Sequence, residues 1–215
     1  MDHNLRNQEG YKIFMIIGPK YKITRRLGVS VFEKTQTQKY AVRAGQKSPN
    51  TSRTRARSDY GLGMLEKQKG RYSYGITSKQ FTKYVKSAIE KKGNSGDILI
   101  KMLESRLDNV ALRSGFAPTR QAARQMVSHG HLTVNGKIVT TPSFAVKKGD
   151  IVSIREGSKK KVIFSNLDEK LKTVKIPSWL KLDFDKKEIA IDGIPYMDKN
   201  ELFFDVGVVL EFYSR

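Results

Sequence analysis

The sequence predicts an α+β protein in two lobes, a largely helical, basic N-terminal lobe beside a module of helices packed on a small β-sheet. Three observations predict it. Apolar residues recur at helical spacing between residues 62 and 127. An Asn-Gly pair then separates two short β-branched runs, the pattern of a tight hairpin. The charge also changes sign: residues 12–92 carry 20 basic and four acidic residues, and residues 162–215 carry eight basic and ten acidic. A length of 215 residues is enough for two modest cores.

Composition excludes several function classes. There are no Cys and three His, so disulfides, thiol chemistry and a Cys-ligated zinc site are ruled out, and no metal or other cofactor is expected. No apolar run approaches the roughly 18 residues a spanning helix needs, so no membrane partner is expected. The sequence holds no Walker loop, no GxSxG elbow and no HExxH, and no catalytic residue is assigned. Net charge is +20 and pI about 10.0, which favours a polyanionic partner. A membrane-binding chain would gather its cations on one amphipathic helix. Here they run through residues 12–92, interleaved with Tyr21, Tyr40, Tyr60, Tyr72, Tyr74 and Tyr84. Cations neutralise phosphates and aromatic rings offer stacking faces to unpaired bases, so the mixture suits RNA. The plainer alternative is a solvated basic surface that maintains solubility.

Taken in order, Met1–Phe14 stands apart, either an N-terminal extension (1–14) or a sign that the true start is Met15. Residues 20–57, charged and weakly periodic around Gly45 and Ser48-Pro49-Asn50, are expected to be a loop region ordered by RNA. A basic helix follows over 62–72. A better one spans Ser78–Lys92, with Ser78 as N-cap, Phe81, Tyr84, Val85, Ala88 and Ile89 on one face, and Gly93 as stop. Leu99, Leu103, Leu107, Val110 and Ala111 predict one helix ending by Gly115. Thr119 then caps a helix with Ala122, Ala123, Met126 and Val127 buried and Gly130 as its left-handed stop. Arg120, Arg124 and Ser128 recur every four residues, giving a face with two guanidiniums and a hydroxyl off the apolar stripe. Leu132-Thr133-Val134 and Lys137-Ile138-Val139 flank the Asn135-Gly136 turn, and Ile151–Ile154 reads as a further strand. Asp183, Asp185 and Glu188 are expected on the solvated face of a strand whose other face carries Leu180, Leu182 and Phe184.

This helix–helix–hairpin–strand run resembles the S-four RNA-binding module, on Arg106-Leu107-Asp108, Thr119–Gln125, Val134-Asn135-Gly136-Lys137 and Lys148-Gly149-Asp150 before Ile151-Val152. The resemblance implies RNA contact by Arg120, Arg124, Gln125, Ser128, His129, His131, Asn135 and Lys137, with Arg106 and Asp108 bracing the module. His129 and His131 could instead only close the helix C-terminus. Upstream, Gly18-Pro19-Lys20, Arg25-Arg26-Leu27-Gly28, Ser58-Asp59-Tyr60-Gly61, Glu66-Lys67-Gln68-Lys69, Gln80-Phe81 and the terminal Leu210–Arg215 resemble the bacterial-type small-subunit ribosomal protein four family. Some members bind zinc through N-terminal cysteines; Gly45-Gln46-Lys47 stands here without Cys, so the chain resembles the metal-free form.

The resemblance implies a cytoplasmic, ribosomal RNA-binding protein, not an enzyme. Such a protein is a structural constituent of the small subunit that nucleates assembly at an rRNA helix junction. It adjoins small-subunit protein five and the mRNA entry channel, and contributes to decoding accuracy. RNA-contact candidates in the N-terminal region are Arg25, Arg26, Arg53, Arg55, Arg57, Tyr60, Lys67, Lys69, Arg71, Tyr72 and Lys83. The expected divisions are a basic rRNA-binding domain at 15–103, the S-four domain at 104–167, and a C-terminal segment, 168–215, packing back on the N-terminal lobe. In that last segment the acids of Asp198–Asp205 face a basic neighbour, face the protein's own basic lobe, or are solvated. Two rivals share the module: pseudouridine synthases, whose catalytic Asp lies in a similar Arg-Leu-Asp, and a stand-alone S-four chaperone for stalled ribosomes. The first needs a separate catalytic domain for which no segment remains, and both lack the long basic N-terminal half.

Overall fold

A computed structural model describes residues 17–46, 58–165, 167, 171, 174, 176–184, 186–198 and 201–214. Helix α1 (Lys20–Leu27) starts after Pro19, whose missing N–H costs nothing at a helix head, and stops at Gly28 in the left-handed region (φ 74°). A 3-10 turn at Glu33–Thr35 and helix α2 (Gln38–Gln46) follow. Residues 20–46 are therefore not the expected loop region. Thr24, Leu27, Val31, Phe32 and Thr35 are buried, because an amphipathic turn of helix gains more from that burial than from solvation. Residues 47–57 lie outside the described residues.

Helix α3 (Asp59–Ser73) is capped by Ser58, whose Oγ accepts the Gly61 N–H. Helix α4 (Ser78–Glu90) is capped by Thr77 rather than Ser78. The Thr77 hydroxyl accepts from Gln80 N while the Gln80 side chain returns to Thr77 N, a reciprocal box that Ser78 could not form. The single helix expected through Ala111 is two, α5 (Ser95–Glu104) and α6 (Leu107–Arg113). The chain breaks at Ser105-Arg106 because its backbone bonds elsewhere: Leu107 N to Phe144 O at 2.8 Å and Val146 N to Ser105 O at 2.8 Å. Helix α7 (Arg120–Ser128) has Thr119 as its cap and Gly130 at φ 68° behind it.

Strands β1 (Leu132–Val134), β2 (Lys137–Ile138), β3 (Ile151–Ile154), β4 (Leu180–Asp183) and β5 (Glu188–Ile191) form one antiparallel sheet of order β2-β1-β3-β5-β4. Asn135 at φ 49° and Gly136 at φ 76° make the hairpin turn with both central residues left-handed. A one-turn helix α8 (Glu156–Lys159) follows β3. The acidic residues are not on one strand, but Asp183 and Glu188 do share the sheet face opposite Leu180 and Leu182. Asp183 ends β4 and Glu188 opens β5 across from it, Phe184 is exposed beyond the strand, and Asp185 lies outside the described residues.

Two cores result. Helices α6 and α7 cover the sheet through Leu107, Val110, Ala123, Val127, Leu132, Val152, Trp179 and Ile189. The other core gathers Tyr74, Ile76, Phe81, Val85, Leu99, Leu103, Phe204 and Val209. The segment 168–215 is divided between them: Leu180–Ile191 extends the sheet, whereas helix α9 (Val206–Ser214) packs on α3, α4 and α5. Close approach of α9 depends on Gly63, where an added Cβ would meet Phe212 Cδ2 at 2.5 Å. The Asp205 carboxylate caps α9 by accepting Val208 N at 3.2 Å, and its own N–H donates to Glu66 Oε2 at 2.8 Å. Among the described residues no helix is long and apolar enough to cross a membrane.

Candidate nucleic-acid interface

The helical lobe presents most of its cations outward. Arg25 and Arg26 are exposed in the last turn of α1, where positive charge also suits the helix end. Lys79, Lys83 and Lys86 are exposed on α4, and Lys39 and Arg43 on α2. Of these Arg25, Arg26 and Lys83 are the expected ones. The others were signalled only by helical spacing of cations, a weak cue in so basic a segment. Tyr60 is 65% exposed and leans on Phe212 at 5.4 Å between ring centroids. Lys67 sits over the Phe212 and Tyr213 rings at 5.5 and 5.1 Å. Lys69 is paired with Glu66 at 2.6 Å. Arg71 lies 4.4 Å over Tyr72, its Nε buried without a partner among the described residues, and Tyr72 meets Phe32 edge-on. Arg53, Arg55 and Arg57 lie outside the described residues.

Four of the residues expected to contact RNA on the module have partners within the protein. Arg120 and Arg124 are half-buried between the lobes. Arg120 donates through Nη1 to Asn109 Oδ1 and lies 4.8 Å over the Tyr74 ring, and its backbone N–H donates to Glu33 Oε1 at 3.2 Å. Burial lowers its pKa below the usual arginine value. Arg124 pairs with Asp108 at 3.4 Å, and burial lowers it as well. The reason is docking of the α7 head on the other lobe, where Lys20 Nζ also donates to Gln121 Oε1 at 3.1 Å. His131 is buried, Nδ1 lying 3.0 Å from Ser158 Oγ, and its pKa is lowered by burial, then by Lys161, His129 and Arg155. Asn135 is spent on the hairpin: its Oδ1 accepts Ile151 N at 2.9 Å and its Nδ2 donates to Asp150 at 2.8 Å. Gln125, His129 and Lys137 remain exposed, with Ser128 half-buried.

A buried polar network joins the lobes behind α7. Glu104 accepts from Tyr74 Oη at 2.7 Å, from Asn109 Nδ2 at 2.7 Å, and from Arg113 Nε and Nη2 at 3.2 Å each. Burial raises the Tyr74 pKa well above the tyrosine value, with the Glu104 charge adding to it. Burial lowers Arg113 while the Glu104 carboxylate more than offsets this, so its pKa is raised. Arg106 forks onto Asp108 at 3.0 and 2.6 Å and reaches Tyr84 Oη at 2.8 Å, bracing the α5–α6 break. The Arg106–Asp108 brace is as expected, whereas the Glu104 cluster could not be read from spacing, since Tyr74, Glu104 and Asn109 come from separate segments. Among the described residues no three His, Cys, Asp or Glu side chains are grouped to hold a metal.

Residues 15–104 match the ribosomal protein S4/S9 N-terminal domain, and residues 105–152 match the S4 domain. The chain is 42% identical over 207 residues to the small ribosomal subunit protein uS4 of Neisseria meningitidis, covering 93% of this chain and 98% of the relative. It is 41% identical over 205 residues to uS4 of Polaromonas naphthalenivorans, and 42% over 203 residues to uS4 of Roseiflexus castenholzii, with the same coverage. A helical lobe and an S4 module matched in order along the chain, with identity sustained across nearly its whole length, place this protein in the uS4 family of small ribosomal subunit proteins.

Proposed function

We propose that the protein is a structural component of the small ribosomal subunit that binds its rRNA, holding several RNA helices at a junction and thereby nucleating assembly. The observation that carries this reading is the outward cationic surface of α1, α2 and α4. Arg26, Lys39, Arg43, Lys79, Lys83 and Lys86 are exposed and have no acidic partner among the described residues. Such a surface gains most beside phosphate. RNA contact is proposed for it, for Arg53, Arg55, Arg57, Tyr60, Lys67 and Arg71, and for Gln125, Ser128, His129 and Lys137 on the module. The near-neutral C-terminal segment suits a protein neighbour, small-subunit protein five near the mRNA entry channel, with an influence on decoding accuracy and a place on cytoplasmic ribosomes. A protein–RNA crosslinking map on intact small subunits tests the reading. Crosslinks from α1, α4 and the α7–β1 loop to rRNA are expected, and their absence with the protein present in the subunit would refute it.

A further inference from the structure

Between the lobes lies a cavity of about 260 Å³. At about 30 Å³ per water it has room for roughly nine waters, the scale of one nucleobase. Phe32 and Tyr72 supply apolar wall, Arg120 and Gln121 supply donors, and Glu33 and Asp108 supply carboxylates. Lys20 and Arg124 line the cavity as well, but Arg124 is paired with Asp108, and it is the Glu33 carboxylate that opposes a phosphate occupant. Asp108 is already engaged by Arg106 and Arg124, but Glu33 is not: Oε1 accepts only the Arg120 amide, and Oε2 accepts nothing among the described residues. A carboxylate offers about four lone-pair sites, so capacity is left for adjacent N–H donors.

We propose that this cavity takes a single unpaired guanine of the bound RNA, with Glu33 accepting from its N1–H and N2–H groups. Of the four bases only guanine places two such donors side by side on its Watson–Crick edge. Adenine and cytosine would set a ring-nitrogen acceptor against the carboxylate, and uracil two carbonyls. Arg120 serves the opposite side. Its Nη1 is held by Asn109, leaving its remaining guanidinium N–H groups for the O6 or N7 acceptors of the base. Both the Asn109 amide and the Tyr74 ring beneath Arg120 are fixed by Glu104, so the donor is aimed before RNA arrives. The proposal rests on the RNA-binding reading above and adds one base-specific site to an interface otherwise built on phosphate charge.

The test uses the full-length protein and a small-subunit rRNA transcript in which inosine, lacking the N2 amino group, randomly replaces guanosine. Selection for bound RNA should expose one guanosine where inosine weakens wild-type binding by about tenfold. Glu33→Gln should weaken binding of the unmodified transcript about tenfold and lose the inosine effect at that position, its remaining oxygen still serving the Arg120 amide. A matched thermal melt checks that the variant is folded, and the inosine arm needs no variant. RNA binding with no guanosine sensitive in the wild type and insensitive in the variant would overturn the pocket while sparing the RNA-binding reading. Tighter binding by Glu33→Gln would also overturn it, since removing a negative charge helps only a phosphate. No binding of the unmodified transcript by the wild type would overturn the underlying reading itself.

Discussion

Replacing Glu104 by Gln should destabilise the protein by about 3 kcal/mol, near the low end of the cost of removing one partner from a buried ion pair. The Glu104 side chain is 1% exposed and its carboxylate serves three residues, Tyr74, Asn109 and Arg113. An amide keeps one oxygen, but its NH2 group faces donors and Arg113 loses its counter-charge. The Arg113 side chain is 22% exposed, so water softens that loss, which is why the lower end of the range applies. For a chain of this size the change corresponds to a fall in Tm of about 6–12 °C. Calorimetry at neutral pH would measure it, with Glu90→Gln, an exposed position at the end of α4, as the control. A fall no larger than the control's would refute the claim that Glu104 is the electrostatic centre of the joint between lobes.

Gly63→Ala should cost about 1–3 kcal/mol in urea titrations, because its Cβ would meet Phe212 at 2.5 Å and overpack the α3–α9 contact. Arg120→Ala should lower stability by about 1–3 kcal/mol, since Asn109 loses its partner and the Tyr74 face is uncovered; a change near 0.5 kcal/mol or less would mean a solvated side chain after all. His131 should make stability fall on acidification. Its folded pKa is lowered, so the unfolded chain binds the proton first, and stability is lost as pH drops from about 7 through the ordinary value near 6.5 toward the folded value. Tm measured across that window should fall less in His131→Gln than in the parent, and equal slopes would contradict the assignment.

How far the sequence was legible depended on how local each feature is. The Thr119 cap, the Asn135-Gly136 turn and the Gly130 stop are each decided by a few neighbouring residues, and all three are as expected. The α5–α6 break was not legible, because apolar periodicity runs straight through Arg106 and only pairing with Phe144–Val146 interrupts it. Thr77 and Ser78 are both good caps, and the choice fell to whichever had Gln three residues on. Arg120 and Arg124 lie off the apolar stripe of α7 as expected. That face is nonetheless covered by Glu33, Tyr74, Asp108 and Asn109, residues 11 to 87 positions away along the chain. Burial against another lobe leaves no periodic trace in a helix whose covered face is polar. The helices at 20–46 were masked by their charge, which outweighs a few buried residues in composition.

If the cations of the helical lobe bind rRNA phosphates, affinity must fall steeply as salt rises. The affinity of the full-length protein for a small-subunit rRNA transcript should be measured from low to moderate potassium concentrations. Each neutralised phosphate contributes about −0.7 to −0.9 to the slope of log K against log salt, so about six contacts predict a slope of about −4 to −5. Charge-neutral substitution of Lys79, Lys83 and Lys86 together should make the slope shallower by about two units or more. A parent slope near zero, or a triple variant with the parent's slope, would contradict the account.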